Sequence, residues 1–132
     1  MLLKIENLHK QYIRGDVAVD ALAGVSLEVE PGAFVTVTGP SGSGKTTLLL
    51  TIAGLLTPTS GSMRFRDTQL ETLSDAEFAA FRGRHMGFVM QNFSLVPYLT
   101  ARENVALPMA LSRISRNEQL ERACLLYTSP SP

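Results

Sequence analysis

The residues with the clearest chemical potential are the eight from Gly39 to Thr46, Gly-Pro-Ser-Gly-Ser-Gly-Lys-Thr. They fit the pattern G-x-x-x-x-G-K-[ST], in which backbone N–H groups turn inward and form a cradle for an anion. Side chains at Gly42 and Gly44 would block that close approach or require unfavourable dihedral angles. Lys45 can reach a terminal phosphate as a point charge, and the Thr46 hydroxyl can bind Mg²⁺. The pattern therefore predicts a polyphosphate site.

A cradle of this kind needs a strand before it and a helix after it. Residues 33–38, Ala-Phe-Val-Thr-Val-Thr, are apolar and β-branched, which predicts a buried strand. Residues 45–53 predict a helix that ends at Gly54. The helix N-terminus would then lie under the loop, where the helix dipole favours negative charge.

The composition is that of one globular domain. The chain has 132 residues, 45% of them apolar, and its 12 acidic and 12 basic side chains balance. We expect no nucleic-acid partner, because nucleic-acid binders usually carry a basic surplus. The single cysteine excludes a disulfide within the chain. Charges begin at Lys4, unlike a signal peptide, and the longest apolar run, 48–56, is too short to cross a bilayer, so we expect a cytoplasmic protein.

The rest of the chain divides into a β-rich first half and a helical second half. Short strands are predicted at 3–8, 17–19, 25–30, 63–65 and 87–90, the last one ending at Gln91. Three capping boxes, in which a Ser or Thr precedes Glu by three residues, predict helices that begin after Ser74, Thr100 and Ser115. Pro108 limits or kinks the second of these helices. A small basic cluster, Arg82, Arg84 and His85, is interpreted as a solvated face.

Together these motifs resemble the ATP-binding subunit of ABC transporters, over about residues 1–123. Three features carry the resemblance: the phosphate loop, the aromatic Tyr12 upstream of it, and Gln91 after a Gly-Phe-Val-Met strand. The segment 91–105 looks very like the family's Q-loop and the helix after it. Residues 73–82 are most similar to the branch that releases lipoproteins or exports macrolides and peptides. The implied fold is α/β: a P-loop NTPase core with an N-terminal antiparallel β subdomain, the start of an α-helical subdomain and an incomplete central sheet.

The resemblance implies ATP and Mg²⁺ as cofactors. The implied nucleotide-binding residues are Tyr12, Gly39, Pro40, Ser41, Gly42, Ser43, Gly44, Lys45, Thr46, Thr47 and Gln91. Tyr12 would stack on adenine, although from the sequence alone it could equally be an ordinary strand tyrosine. Thr46 and Gln91 would contribute oxygen ligands to the metal. The apolar residues after Gln91, at 93 and 96–99, fit equally well a contact with a membrane subunit and the core of the helical subdomain.

The resemblance also implies partners and a location. In the family, two ATP-binding domains clamp ATP head to tail and drive a transmembrane permease, so a homodimer at the inner face of the plasma membrane is expected. Three functions stay open: the ATPase of an exporter or lipoprotein-releasing system, a cell-division ATPase that controls wall hydrolases, and a generic phosphate-loop kinase or GTPase. The Gln91 segment and Tyr12 argue against the last.

Four further parts of the family's machinery are not in the sequence. These are the LSGGQ-type signature, the acidic residue that holds Mg²⁺, the glutamate that polarises water and the switch histidine, so no catalytic residue is assigned. We therefore expect residues 1–123 to be a partial ABC-type domain without meaningful turnover. Residues 124–132 resemble a translated sequencing adapter, and two prolines there cannot continue a helix, so this tail is expected to be non-native.

Overall fold

The computed structural model describes residues 1–92, 95–111 and 114–128, except for the side chains of Arg14, Leu111 and residues 126–128. The chain forms two compact units, Met1–Met86 and Gly87–Pro132. The first unit contains an antiparallel sheet of four strands: β1 (Leu3–Arg14), β2 (Val17–Val29), β3 (Ser60–Phe65) and β4 (Thr68–Gln69). Their order across the sheet is β2-β1-β3-β4. The predicted strands at 3–8 and 63–65 are confirmed.

The two strands predicted at 17–19 and 25–30 are one continuous strand, β2. It pairs with β1 from Arg14 opposite Val17 to Leu3 opposite Val29, with shifts in register on the way. Gly24 has φ 76°, a left-handed conformation that glycine adopts without steric cost. The stretch 20–24 therefore does not end the strand, because a bulge at Gly24 accommodates it.

The core of the first unit lies between this sheet and the helix after the phosphate loop. That helix, α1, runs from Lys45 to Ile52, as predicted. The fully packed core consists of six apolar side chains: Ile5, Leu8, Leu22, Leu48, Met63 and Leu70. Burial of each such side chain contributes about 1.5–3 kcal/mol before entropy is subtracted. Because Leu22 belongs to β2 and Leu48 to α1, this burial fixes the helix on the sheet.

A second helix is the last element of the first unit. A short 3₁₀ turn, Leu70–Thr72, precedes α2, which runs from Asp75 to His85. The predicted capping box is confirmed: Ser74 Oγ accepts from the Glu77 N–H at 3.4 Å, and Glu77 accepts from the Ser74 N–H at 2.9 Å. Phe78 and Phe81 of α2 pack against the core.

Two strand predictions are wrong: neither residues 33–38 nor residues 87–90 form a strand. Phe34 and Val89 are 95% and 96% exposed. A strand is defined by its hydrogen bonds to a neighbour, and within the described residues no strand pairs with either segment. Apolar, β-branched composition creates the tendency to pair, but it does not supply the partner. The central sheet is thus incomplete, as expected.

The second unit is helical. It contains α3 (Ala101–Ala106), a 3₁₀ turn (Leu107–Leu111) and α4 (Arg116–Thr128). The capping box at Thr100 is confirmed, and the α-helix gives way to the 3₁₀ turn at Leu107, just before Pro108. At Ser115, the side-chain oxygen accepts from the Glu118 N–H at 3.3 Å. The last helix continues beyond Ala123 to Thr128, and residues 129–132 lie outside the described part. Over the residues described, no helix has the length and apolar character needed to span a membrane.

Candidate phosphate-binding site

The loop that leads into α1 has the conformation that its glycines predicted. Gly42 and Gly44 have φ values of 79° and 87°, both in the left-handed region. Gly44 is the N-cap of α1, and the first helical bond runs from the Leu48 N–H to the Gly44 carbonyl at 2.8 Å. The N–H groups of residues 45–47 therefore precede the helical ladder and point out of the helix end. An anion at this end would receive several donors at once.

Gly44 is required for a second reason, which sequence analysis missed. A Cβ atom at Gly44 would lie 2.3 Å from the carbonyl oxygen of Ala21, in strand β2. The loop is therefore seated directly on the sheet. No local signal in the sequence around Ala21 indicates this contact, because it depends on how β2 and α1 pack.

The Lys45 side chain folds back onto the phosphate loop. Its ammonium group donates to the carbonyl oxygens of Pro40 and Gly39, at 2.6 and 2.9 Å, and to Ser43 Oγ at 3.2 Å. Three partners use the three donors of an ammonium group. A phosphate that enters must therefore compete with neutral acceptors, and the bond between the ammonium and an anionic phosphate oxygen is the stronger because both partners are charged.

The cleft at this helix end has the lining and size for a phosphate group. Its volume is about 170 Å³, and it is lined by Ala21, Gly42, Ser43, Gly44, Lys45, Thr46 and Thr47. Six of the predicted nucleotide-binding residues, 42–47, thus come together around one space. The backbone approach, the lysine and the absence of an acidic residue in the first turn of α1 all fit an anion.

The residues present provide few ligands for a metal ion. Within the described part of the chain, no group of three His, Cys, Asp or Glu side chains is placed to hold one. Thr46 is exposed at the cleft and offers one hydroxyl oxygen. Mg²⁺ keeps several waters and usually takes one or two protein ligands plus phosphate oxygens. This donor set fits Mg²⁺ that arrives with a nucleotide.

Tyr12 lies on the same sheet as the cleft. It pairs with Val19, which precedes the cleft residue Ala21 by two positions, a distance of about 7 Å along the strand. Its ring is 40% exposed, and the Lys10 ammonium lies 5.2 Å from the ring centroid. The lysine can occupy one face of the ring. The exposed area of the ring leaves room for a flat partner.

Gln91 belongs to the second unit and is exposed in a bend. In the loop that follows, Val96 and Leu99 are half-buried while Tyr98 is 86% exposed. Core packing therefore fits Val96 and Leu99, and the contact with a membrane subunit stays a prediction. Phe93 lies outside the described residues. Asn104, which sequence analysis missed, holds this loop: its side chain bonds the N–H and C=O of Val96 at 2.8 and 3.2 Å.

The shifted pKa values belong to surface ion pairs and helix caps. Hydrogen bonds from the side chain and backbone of Ser74 lower the pKa of Glu77. Those from the backbone and side chain of Thr100 lower the pKa of Glu103. A hydrogen bond to Glu6 raises the pKa of Lys4. The hydrogen bonds that cause these pKa shifts stabilise local structure, and no catalytic or binding role is assigned to these residues.

The interpretation of Arg82 as part of a solvated face is wrong. Arg82 is half-buried, and its guanidinium donates to the carbonyls of Ala53 and Gly54 at 3.1 and 3.3 Å. His85 lies against Phe81, with ring centroids 4.6 Å apart, whereas Arg84 is exposed. The available signal was the spacing of Phe78, Phe81 and Arg82, which places them on one face of α2.

A glycine loop seated on a sheet, a free helix N-terminus and a lysine over the loop define the class of phosphate-loop nucleotide-binding domains. A family model described as ABC transporter matches residues 22–128. The chain belongs to the ABC transporter family.

Relatives agree with this assignment. An uncharacterized ABC transporter ATP-binding protein of Bacillus subtilis, YvcR, is 45% identical over 123 residues, which are 92% of this chain and 48% of that protein. The macrolide export ATP-binding/permease protein MacB of Syntrophobacter fumaroxidans is 42% identical over 96% of this chain and 18% of its own length. The chain spans about half the length, or less, of these curated relatives.

Solved structures give the same fold. The ATP-binding cassette MJ0796, in a dimeric post-hydrolysis state bound to ADP and Pi, is similar with a TM-score of 0.86 and 39% identity. The match covers 93% of this chain and 54% of that one. The α/β fold expected from the sequence is therefore confirmed.

Proposed function

We propose that this chain forms the nucleotide-binding part of the ATPase that powers an ABC-type exporter or lipoprotein-releasing complex. The observation that carries the proposal is the cleft at the N-terminus of α1, where residues 42–47 surround a space of about 170 Å³. The similarity to MacB, and the likeness of residues 73–82 to the same branch, favour export or release over other transport.

Each residue of the cradle has a proposed role. The N–H groups of residues 42–47 bind the β- and γ-phosphate oxygens, and the dipole of α1 adds a favourable potential. Lys45 leaves the carbonyls of Gly39 and Pro40 and neutralises charge on the terminal phosphates. Thr46 contributes a hydroxyl ligand to Mg²⁺, which when bound offsets the charge that develops during phosphoryl transfer.

Tyr12 and Gln91 complete the proposed nucleotide site. Tyr12 stacks on adenine through the exposed part of its ring. Gln91 offers a carbonyl oxygen to the metal and an NH₂ group to water or phosphate, and so reports the γ-phosphate to the loop after it. Loss of the γ-phosphate would then change the loop at its exposed residue Tyr98.

The relatives support the proposed assembly. The dimeric cassette structures support a pair of ATP-binding domains, and the ATP-binding/permease protein MacB supports a transmembrane permease as partner. The protein would therefore lie at the inner face of the plasma membrane. Because no signature or acidic pair occurs in the sequence, we propose that this chain alone binds ATP weakly and does not turn it over.

A second candidate is an ABC ATPase that regulates cell-wall hydrolases without transport. Its phosphate loop and Gln91 segment would be the same, so these residues do not separate the two functions. A permease encoded by a neighbouring gene would separate them, because the periplasmic regions of the two kinds of partner differ. A periplasmic domain of the macrolide-export or lipoprotein-release type supports the first function, and one that binds a hydrolase activator supports the second.

Calorimetric titration with Mg-ATP tests the proposal directly. The 132-residue chain is expected to bind, and Lys45→Ala is expected to weaken binding about tenfold or more, because a charge-assisted hydrogen bond is lost. Lys4→Ala is a matched control, since its ammonium pairs with Glu6 and Glu28 instead of the phosphate loop. Equal affinity of the wild-type chain and Lys45→Ala, or brisk ATP hydrolysis that Lys45→Ala abolishes, would contradict the proposal.

A further inference from the structure

The far end of the phosphate-loop helix is closed by a side chain from another element. At the C-terminus of α1 the Gly54 N–H bonds the Thr51 carbonyl at 3.0 Å, and the Leu55 N–H bonds the Leu50 carbonyl at 2.9 Å. These two bonds form a Schellman motif, with Gly54 in the left-handed conformation at φ 65°. The motif satisfies two carbonyls within the helix and leaves those of Ala53 and Gly54 for other donors.

Arg82 takes both of these carbonyls. Its Nη1 atom lies 3.1 Å from the Ala53 oxygen and 3.3 Å from the Gly54 oxygen. The positive charge also lies at the negative end of the α1 dipole, where a cation is stabilising. Arg82 is half-buried, so water screens these interactions less than it would at an open surface.

The same contact brings α2 against α1 at close range. A Cβ atom at Gly54 would lie 2.6 Å from the ring of Phe78, four residues before Arg82 on α2. Phe78 and Arg82, which lie on one face of α2, therefore both contact the C-terminal end of α1. The helix α1 has eight residues and is about 12 Å long, so fixing its C-terminus limits the tilt of its N-terminus.

We propose that Arg82 is a positioning residue for the phosphate loop. By clamping the C-terminus of α1, it holds the N–H groups at the other end of the helix in the orientation that binds phosphate. This inference rests on the proposed function, because its consequence is a change in nucleotide affinity. It extends that function to a side chain outside the cleft, and α2 leads directly along the chain to residues 87–91.

The test compares Arg82→Ala, Arg82→Lys and Arg84→Ala with the wild-type chain. Arg84 is an exposed arginine on the same helix and serves as the matched control. Two quantities are measured: the Kd for Mg-ATP of the folded protein, and, without nucleotide, the amide hydrogen exchange of Ser43 and Leu48, whose N–H groups bond the Pro40 and Gly44 carbonyls. Arg82→Ala is expected to raise the Kd about fivefold or more and to accelerate exchange at this helix start. Arg82→Lys keeps the charge but loses the planar guanidinium group. Its Kd and its exchange rates are therefore expected to lie between those of the wild-type chain and those of Arg82→Ala.

A purely structural role predicts a different result. If folded Arg82→Ala loses stability but binds Mg-ATP within about twofold of wild type, with unchanged exchange at Ser43 and Leu48, the inference is overturned. If Arg82→Ala does not fold, Arg82→Lys decides by the same criterion. If the wild-type chain binds no ATP, the proposed function fails, and the exchange measurement still decides: faster loop exchange in the Arg82 variants supports the positioning role, and unchanged exchange overturns it.

Discussion

At the scale of single residues, substitutions at two glycines of the phosphate loop distinguish the energetic cost of an unfavourable backbone dihedral angle from the cost of a steric clash. Both have positive φ, but a Cβ atom would have no neighbour within 4 Å at Gly42 and would meet the Ala21 carbonyl at 2.3 Å at Gly44. Gly42→Ala is therefore expected to cost about 1 kcal/mol of unfolding free energy. Gly44→Ala is expected to cost about 2 kcal/mol more, because the loop must leave the sheet. Urea denaturation measures both, and equal costs would contradict this account of Gly44.

Tyr12 can be tested separately from the phosphate contacts. Stacking of a base on an aromatic ring is worth about 1–3 kcal/mol by alanine substitution. Tyr12→Ala is thus expected to weaken ATP binding about fivefold or more, whereas Tyr12→Phe keeps the ring and most of the affinity. Inorganic tripolyphosphate has no base, so its affinity is expected to stay unchanged in Tyr12→Ala. A parallel loss for tripolyphosphate would show that Tyr12 supports the sheet and does not stack.

The loop residues were predictable because their chemistry is encoded in consecutive positions. Gly42, Gly44 and Lys45 have the conformation or reach that their types require. Ala21 and Asn104 were not predictable, because each contributes through backbone or side-chain contacts that only packing creates. The spacing of Arg82 indicated its helix face but not the carbonyls that it bonds. A functional motif identifies the residues that touch the ligand, but it says little about those that hold the motif in place.

At the scale of elements, the capping boxes give α2 and α3 a dependence on pH. Because hydrogen bonds from Ser74 and Thr100 lower the pKa of Glu77 and Glu103 below 4.5, the folded state favours the ionised carboxylates. Their contribution to stability is present above that value and is lost as pH falls through the lowered pKa in the folded state. Glu77→Gln and Glu103→Gln are expected to flatten the fall in unfolding free energy between about pH 5 and pH 3.

The matched control for this prediction is Glu121→Gln, an exposed carboxylate within α4. Urea denaturation across the pH range gives the free energy for each variant. If the Glu77 and Glu103 variants keep the full acid dependence of the wild-type chain and of Glu121→Gln, the caps do not contribute as described.

The helices and the antiparallel sheet were predictable because their signals are local. A capping box satisfies N–H groups within one turn, and β1 and β2 are joined by a short turn, Gly15–Asp16, that brings them together. Residues 33–38 and 87–90 have equally strong strand composition, and yet within the described chain they have no ladder to join. The strand predictions succeeded where the described chain provides a partner, whether close in sequence, as for β1 and β2, or distant, as for β1 and β3, and failed where it provides none.

At the scale of the whole molecule, these two segments leave apolar side chains in contact with water. Phe34 and Val89 are 95% and 96% exposed, and unpaired β-prone segments promote association between chains. Phe34→Lys is expected to reduce concentration-dependent association in sedimentation velocity, while the unfolding free energy changes by less than about 0.5 kcal/mol. Ile5→Lys, which places a charge in the core, is the contrasting variant and is expected to unfold the chain. Unchanged association of Phe34→Lys would show that this segment is not the contact.

The most direct test of the central claim is a residue-resolved NMR titration of the backbone amides with ATP, adenosine and tripolyphosphate. The proposed cradle predicts that ATP and tripolyphosphate both shift the amides of residues 42–47, that adenosine leaves those amides unchanged, and that Lys45→Ala diminishes the shifts. Shifts that are absent from residues 42–47, or that adenosine reproduces there, would contradict a cradle built from the N-terminus of α1.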